Sequence, residues 1–244
     1  MKGVWAVCKR ELKAYFTTPV AYVFLVVFLF GAAFLPFQVG DFYETRQADL
    51  RLFFGYLPML LLFLAPAAAM RLWAEERRSG SIELLLTLPV TVRQVVIAKF
   101  LAAWAFLTIA LLLTFPIVVT VWYLGDPDNG VIFCGYLGAF LMAGAFLAVE
   151  CHFSALSKSQ VISFILAVAV CALLVFSGLP SALNWFSSFL PGGLVRTIEG
   201  FSMQNHFESM VRGVIQLRDV VYFAALIVGW MAACVLVLDE RRAA

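Results

Sequence analysis

The run FLAAWAFLTIALLLTFPIVVTVWYLG, residues 100–125, is 26 residues long and contains no Asp, Glu, Lys or Arg. At about 1.5 Å per residue a helix of that length reaches about 39 Å, more than the roughly 30 Å of a bilayer's hydrocarbon core. In water such a helix would expose apolar surface on every side, whereas in lipid its own backbone hydrogen bonds suffice. Other charge-free windows flank it at 14–40, 52–70, 129–149, 159–195 and 220–238, of 27, 19, 21, 37 and 19 residues. They predict an all-α integral membrane protein with six transmembrane helices, at about 20–40, 52–72, 99–124, 131–153, 160–179 and 219–238.

The window 159–195 is too long for one span and too short for two with a turn. Its second half mixes the breakers Asn184, Ser187, Ser188, Pro191, Gly192 and Gly193 with Leu183, Trp185, Phe186, Phe189 and Leu190. That mixture predicts a re-entrant or interfacial segment.

Composition agrees, with 64% hydrophobic and 13% charged residues over 244 positions and a mean hydropathy of +0.97. A soluble globule is excluded. The net charge is +2, so nothing basic is in excess to neutralise a phosphate backbone, and nucleic acid is not an expected partner. Orientation follows from the cations. With both termini cytoplasmic, 12 Lys and Arg fall inside (Lys2, Lys9, Arg10, Lys13, Arg71, Arg77, Arg78, Arg93, Lys99, Lys158, Arg241, Arg242) and 5 outside (Arg46, Arg51, Arg196, Arg212, Arg218). No A-x-A type cleavage site follows the first apolar window, so that span is expected to stay. The five cysteines include no C-x-x-C pair and read as small buried hydrophobes rather than a disulfide framework or metal site.

Two segments are not simple spans. In 4–16, Trp5, Cys8, Leu12, Tyr15 and Phe16 share one helical face with Lys9, Arg10 and Lys13 elsewhere, the pattern of a helix lying in the membrane interface. Thr17-Thr18-Pro19 breaks it from the first span. In the loop between spans two and three, Ser79, Gly80 and Ser81 can each cap a helix start, Gly80 placing Glu83 at the third helical position, and Pro89 closes the helix. The product is a short helix with Ile82, Leu85, Leu86 and Leu88 exposed in a cytoplasmic loop. Such a helix either docks a soluble partner or packs back on the span ends, and the residues alone leave both open.

The run from Glu75 to Lys99, with its acidic-basic cluster, Ser-Gly-Ser, Ile-Glu-Leu-Leu-Leu-Thr-Leu-Pro-Val and closing Lys, resembles the signature region of permease subunits of ABC-2-type ATP-binding-cassette transporters. The run from Asn205 to Phe223 resembles the stretch before the last span in that family's gliding-motility-type branch. The likeness extends over essentially the whole chain. It implies that 80–89 is a coupling helix seated in a groove of an ATPase subunit, with Gly80, Ile82, Glu83, Leu84, Leu85, Leu86, Leu88 and Pro89 as its coupling residues. It implies a working unit of two permeases, identical or closely homologous, and two ATPases in a bacterial inner membrane, with 180–217 as re-entrant helices closing the external end. Export is the commoner direction in the family. No G-x-x-x-x-G-K-[ST] occurs, so this chain is no ATPase by that route, and ATP and Mg²⁺ are expected on the partner.

Among candidate chemical groups, Glu150 is the one acid well inside a hydrophobic stretch. An intramembrane acid marks a pathway by default, but Ser154 and Lys158 follow within about two turns and no chain of further acids is visible, so a structural pairing with Lys158 or a neighbouring span end is the favoured reading. His152 and His206 fall on opposite sides of the predicted bilayer and cannot share a metal or haem within one subunit. The outer segments 41–51 and 196–219 are small, so an extracytoplasmic receptor, where one is needed, is another chain. Two further classes stay open: a membrane scaffold whose loop helix docks a partner that is not an ATPase, and an ion-coupled secondary transporter using Glu150.

Overall fold

The computed structural model describes residues 2–40, 42, 49–79, 91–188 and 191–243. Every regular element among them is helical. Helix α1 is Lys2–Thr17. Thr18 is extended, as the residue before a proline must be, and Pro19 opens α2, Pro19–Phe34, which runs into a π turn at Leu35–Val39. Helix α3, Arg51–Ala69, bends at Met70 into α4, Arg71–Ser79.

Helix α5, Val92–Leu112, begins with a reciprocal cap in which the Thr91 hydroxyl accepts from the Gln94 amide at 3.3 Å and the Gln94 side chain accepts from the Thr91 amide at 3.1 Å. The apolar run 100–125 does not continue as one regular helix. Pro116 cannot donate to the carbonyl of Leu112, so the chain turns at Leu113 and Thr114 and resumes as α6, Phe115–Leu124. The Thr114 hydroxyl donates back to the Leu111 carbonyl at 2.6 Å and closes the break.

Helix α7, Asn129–Leu156, is N-capped by Asp128, whose carboxylate accepts from the Gly130 amide at 2.8 Å. There follow α8, Gln160–Phe176; three short helices, α9 Pro180–Ser187, α10 Gly192–Gly200 and α11 Met203–Val211; and α12, Leu217–Ala243. Gly213 turns the chain into α12 at φ 83, in the left-handed region that favours glycine.

Where six spans are expected, five stretches among the described residues are long and apolar enough to cross a membrane: Pro19–Val39, Arg51–Arg78, Val92–Leu124, Asn129–Leu156 and Leu217–Glu240. The remaining expected span, 160–179, corresponds to the 17-residue apolar helix α8. The Ser177-Gly178-Leu179-Pro180 sequence ends α8 before span length.

Helix α7 is the axis of the bundle, touching α3, α4, α5, α8, α11 and α12. Its Gly135, Gly138, Ala139, Ala143, Gly144, Ala145 and Ala148 are all buried, and small residues let neighbouring helices approach closely where lipid offers no hydrophobic drive. A Cβ on Gly135 would lie 2.5 Å from the Phe54 ring, and one on Gly144 would lie 2.8 Å from the Trp104 indole. Trp104 is fixed there by stacking on Phe140 at 4.3 Å and by donating its indole N–H to the Phe140 carbonyl at 3.0 Å.

Candidate functional site

The expected coupling residues Gly80, Ile82, Glu83, Leu84, Leu85, Leu86, Leu88 and Pro89 lie outside the described residues. What the structure gives is the junction on both sides of them. Helix α4 leads into that segment and α5 leaves it, and both meet α1 around one buried cation. Lys99 of α5, 2% exposed, places its Nζ 2.8 Å from Glu76 Oε1 of α4 and 3.4 Å from Glu11 Oε1 of α1. The same ammonium lies 5.3 Å from the centre of the Trp73 ring, and Arg10 holds Glu11 from the outer side at 2.7 Å.

Apolar contacts make the rest of the junction. Cys8 of α1 packs on Ala98 and Ala102 of α5, and the Tyr15 ring stacks on Phe106 at 5.0 Å. The Tyr15 hydroxyl donates to the Ala68 carbonyl at 2.9 Å. Burial pushes the Tyr15 phenol well above its ordinary range, and burial together with the Glu11 charge raises the Cys8 thiol, so both stay neutral at physiological pH.

The bend between α3 and α4 is held from α7. Ser154 Oγ accepts the amides of Trp73 and Ala74 at 3.1 and 3.2 Å and donates to the Met70 carbonyl at 3.1 Å. One hydroxyl thereby satisfies backbone groups that the bend takes out of regular helical pairing. Arg77 adds a second tie, donating to the Ala155 carbonyl at 2.5 Å. From the sequence, Lys99 entered the orientation count and closed the 75–99 run, while Glu11 and Ser154 had no role in the junction. The available signal was a lysine facing an otherwise apolar run, with acids in two other segments on the same predicted side.

Glu150 is fully buried in α7, and its Oε1 accepts a hydrogen bond from Ser163 of α8. Its Oε2 has no protein partner among the described residues. His152 packs between Phe153 and Trp230, with ring centres 5.4 and 5.2 Å away. Among the described residues, Glu150 pairs with a serine and His152 with aromatic rings, both local contacts between neighbouring helices.

A second polar cluster sits at the entry to α12. His206 of α11 meets Asp219 Oδ1 through Nδ1 at 2.7 Å and donates from Nε2 to the Gly200 carbonyl at 3.1 Å. Ser209 donates to the other Asp219 oxygen, and the Tyr222 ring stacks on His206 at 4.0 Å. Serine, aspartate and histidine are present, but the serine bonds the carboxylate and not the imidazole, so the order of contacts is not that of a Ser-His-Asp triad. The cluster ties α10 and α11 to α12 beside a polar cavity of about 870 Å³.

No curated protein matches the chain in sequence. A family model described as ABC-2 family transporter protein matches residues 5–238, which takes in α1, the junction around Lys99, the segment 80–89 and the body of α12. Members of that family are transmembrane components without an ATP-binding cassette of their own, and they associate with ABC ATPase subunits. With five helices of spanning length and a family match over nearly its full length, the chain belongs to the ABC-2 family of transporter proteins, as a multi-pass membrane permease component of an ABC transporter.

Proposed function

We propose that two copies of this chain, or one copy and a close homologue, form the permease core of an exporter driven by two ATPase subunits. The segment 80–89 docks the ATPase, with Ile82, Leu85, Leu86 and Leu88 as its apolar contacts and Glu83 as a cap or polar contact. ATP and Mg²⁺ bind the partner. The observation that supports this reading is the junction at Lys99, because α4 and α5, which bracket 80–89, are joined to each other and to α1 by one buried cation. A push on 80–89 therefore acts on α3 and α5 together, through elements already coupled. The short helices α9 to α11 serve as the external closure, and the likeness of 205–223 supports placement in the gliding-motility-type branch. In this reading the protein resides in a bacterial inner membrane with both termini cytoplasmic.

The test is purification of the tagged protein in mild detergent, followed by an ATPase assay of the complex with and without vanadate. Wild type should retain a vanadate-sensitive ATPase, and Leu85→Asp should lose it while still inserting in the membrane. Glu83→Ala should lower the activity of the complex. A stable wild-type preparation with no nucleotide-hydrolysing partner would overturn the proposal and favour the scaffold.

A further inference from the structure

A cavity of about 250 Å³ lies where α1, α2, α3, α4 and α5 converge. Its wall is divided by chemistry. One side is apolar, with Val20, Ala21 and Phe24 of α2 and Phe106 of α5; the other carries Arg71, Glu75, Glu76, Glu11 and Lys99. Helix α2 turns Tyr22, Val23, Val26 and Val27 outward, all 50% exposed or more, so its outer face belongs to lipid and the cavity lies one helix inside the bilayer edge. The charged lining residues come from α1, from α4 just past the end of α3, and from the start of α5, close to where the amphipathic α1 joins α2, a placement that suits headgroup depth.

Two cations face three carboxylates on the polar wall, so the site is not built for an anion alone. Lys99 is already held by Glu76 and Glu11, whereas Arg71 presents a buried Nε with no partner among the described residues. A guanidinium is the side chain that best holds a phosphate, and carboxylates beside it suit a hydrogen-bonding ammonium. We infer that this cavity binds one phospholipid of the phosphatidylethanolamine type, its phosphate on Arg71, its primary ammonium toward the carboxylates of the wall, and the root of an acyl chain against Phe24. The volume suits a headgroup and its first methylenes, since sites for whole drug-sized ligands run to about 300–1,000 Å³. A choline headgroup offers no N–H to the carboxylates, and a glycerol headgroup brings a net negative charge to a net negative wall.

The experiment is native mass spectrometry of the full-length protein released from detergent after equilibration with dioleoyl-phosphatidylethanolamine, -phosphatidylcholine or -phosphatidylglycerol. Wild type should retain one phosphatidylethanolamine per protomer in preference to the other two. Arg71→Ala should weaken that retention about tenfold, the loss of one charge-assisted contact. Ala21→Phe, which fills the cavity from α2 and leaves every charge in place, should abolish it, and this variant decides the matter where Arg71→Ala does not fold. Equal retention of all three lipids, or wild-type retention in Ala21→Phe, overturns the assignment. Neither readout involves an ATPase, so this inference stands or falls separately from the transport reading.

Discussion

Replacing Lys99 by methionine removes the cation at the centre of the junction and keeps most of its apolar stem. The Lys99 side chain is 3% exposed and those of its acidic partners Glu11 and Glu76 are 16% and 19% exposed, so both carboxylates would lose this cation in largely buried surroundings. Removing one partner of a buried ion pair costs about 3–5 kcal/mol. The lower end applies here, about 3 kcal/mol, because Glu11 keeps Arg10 at 2.7 Å and both acids are partly hydrated. At roughly 2–4 °C per kcal/mol for a chain of this size, thermal unfolding of the purified protein should fall by about 6–12 °C. Lys99→Met combined with Glu76→Gln should recover about half of the loss, since it removes the carboxylate that sits closest to the lost cation. Arg93→Ala, at an exposed position on the same helix, should change little and serves as the control. A drop for Lys99→Met no larger than that for Arg93→Ala, or a double variant no better than the single, would refute the claim that the pairing holds the three helices together.

Two further outcomes follow from other contacts. Ser154→Ala leaves the amides of Trp73 and Ala74 and the carbonyl of Met70 without their shared partner, which should cost about 1–3 kcal/mol per buried unsatisfied group; hydrogen exchange should quicken selectively across 70–79. Gly135→Ala pushes a methyl into the Phe54 ring and should destabilise by about 1–3 kcal/mol through overpacking. Adding Phe54→Leu should return part of that loss in the same thermal assay, because it removes the ring edge that the new methyl meets.

Much of the fold was legible because its causes are local. A charge-free run of spanning length, a proline after Thr18 and an apolar face at helical spacing are properties of neighbouring residues, and each is visible without knowing what lies across the bundle. The junction and the clusters were not legible for the opposite reason. Ser154 and Met70 are 84 residues apart, Glu11 and Lys99 come from the first helix and the fifth, and His206 and Asp219 meet only because Gly213 turns α11 back toward α12. Glu150 illustrates the limit: its position marked it as a buried acid, but Ser163 as its partner depends on how α8 packs on α7.

From the sequence alone came the all-helical membrane architecture, the amphipathic pattern of α1, the segments that punctuate the spans and the segment 80–89 as the one to test for docking, because hydropathy and helical periodicity act along the chain. Only the tertiary structure decided that Lys99 joins α1, α4 and α5, that Ser154 holds the bend at Met70, and that Arg71 borders an amphiphilic cavity. A buried charge or hydroxyl must find its partner in space, and which partner it finds depends on the packing of helices that the chain separates by scores of residues.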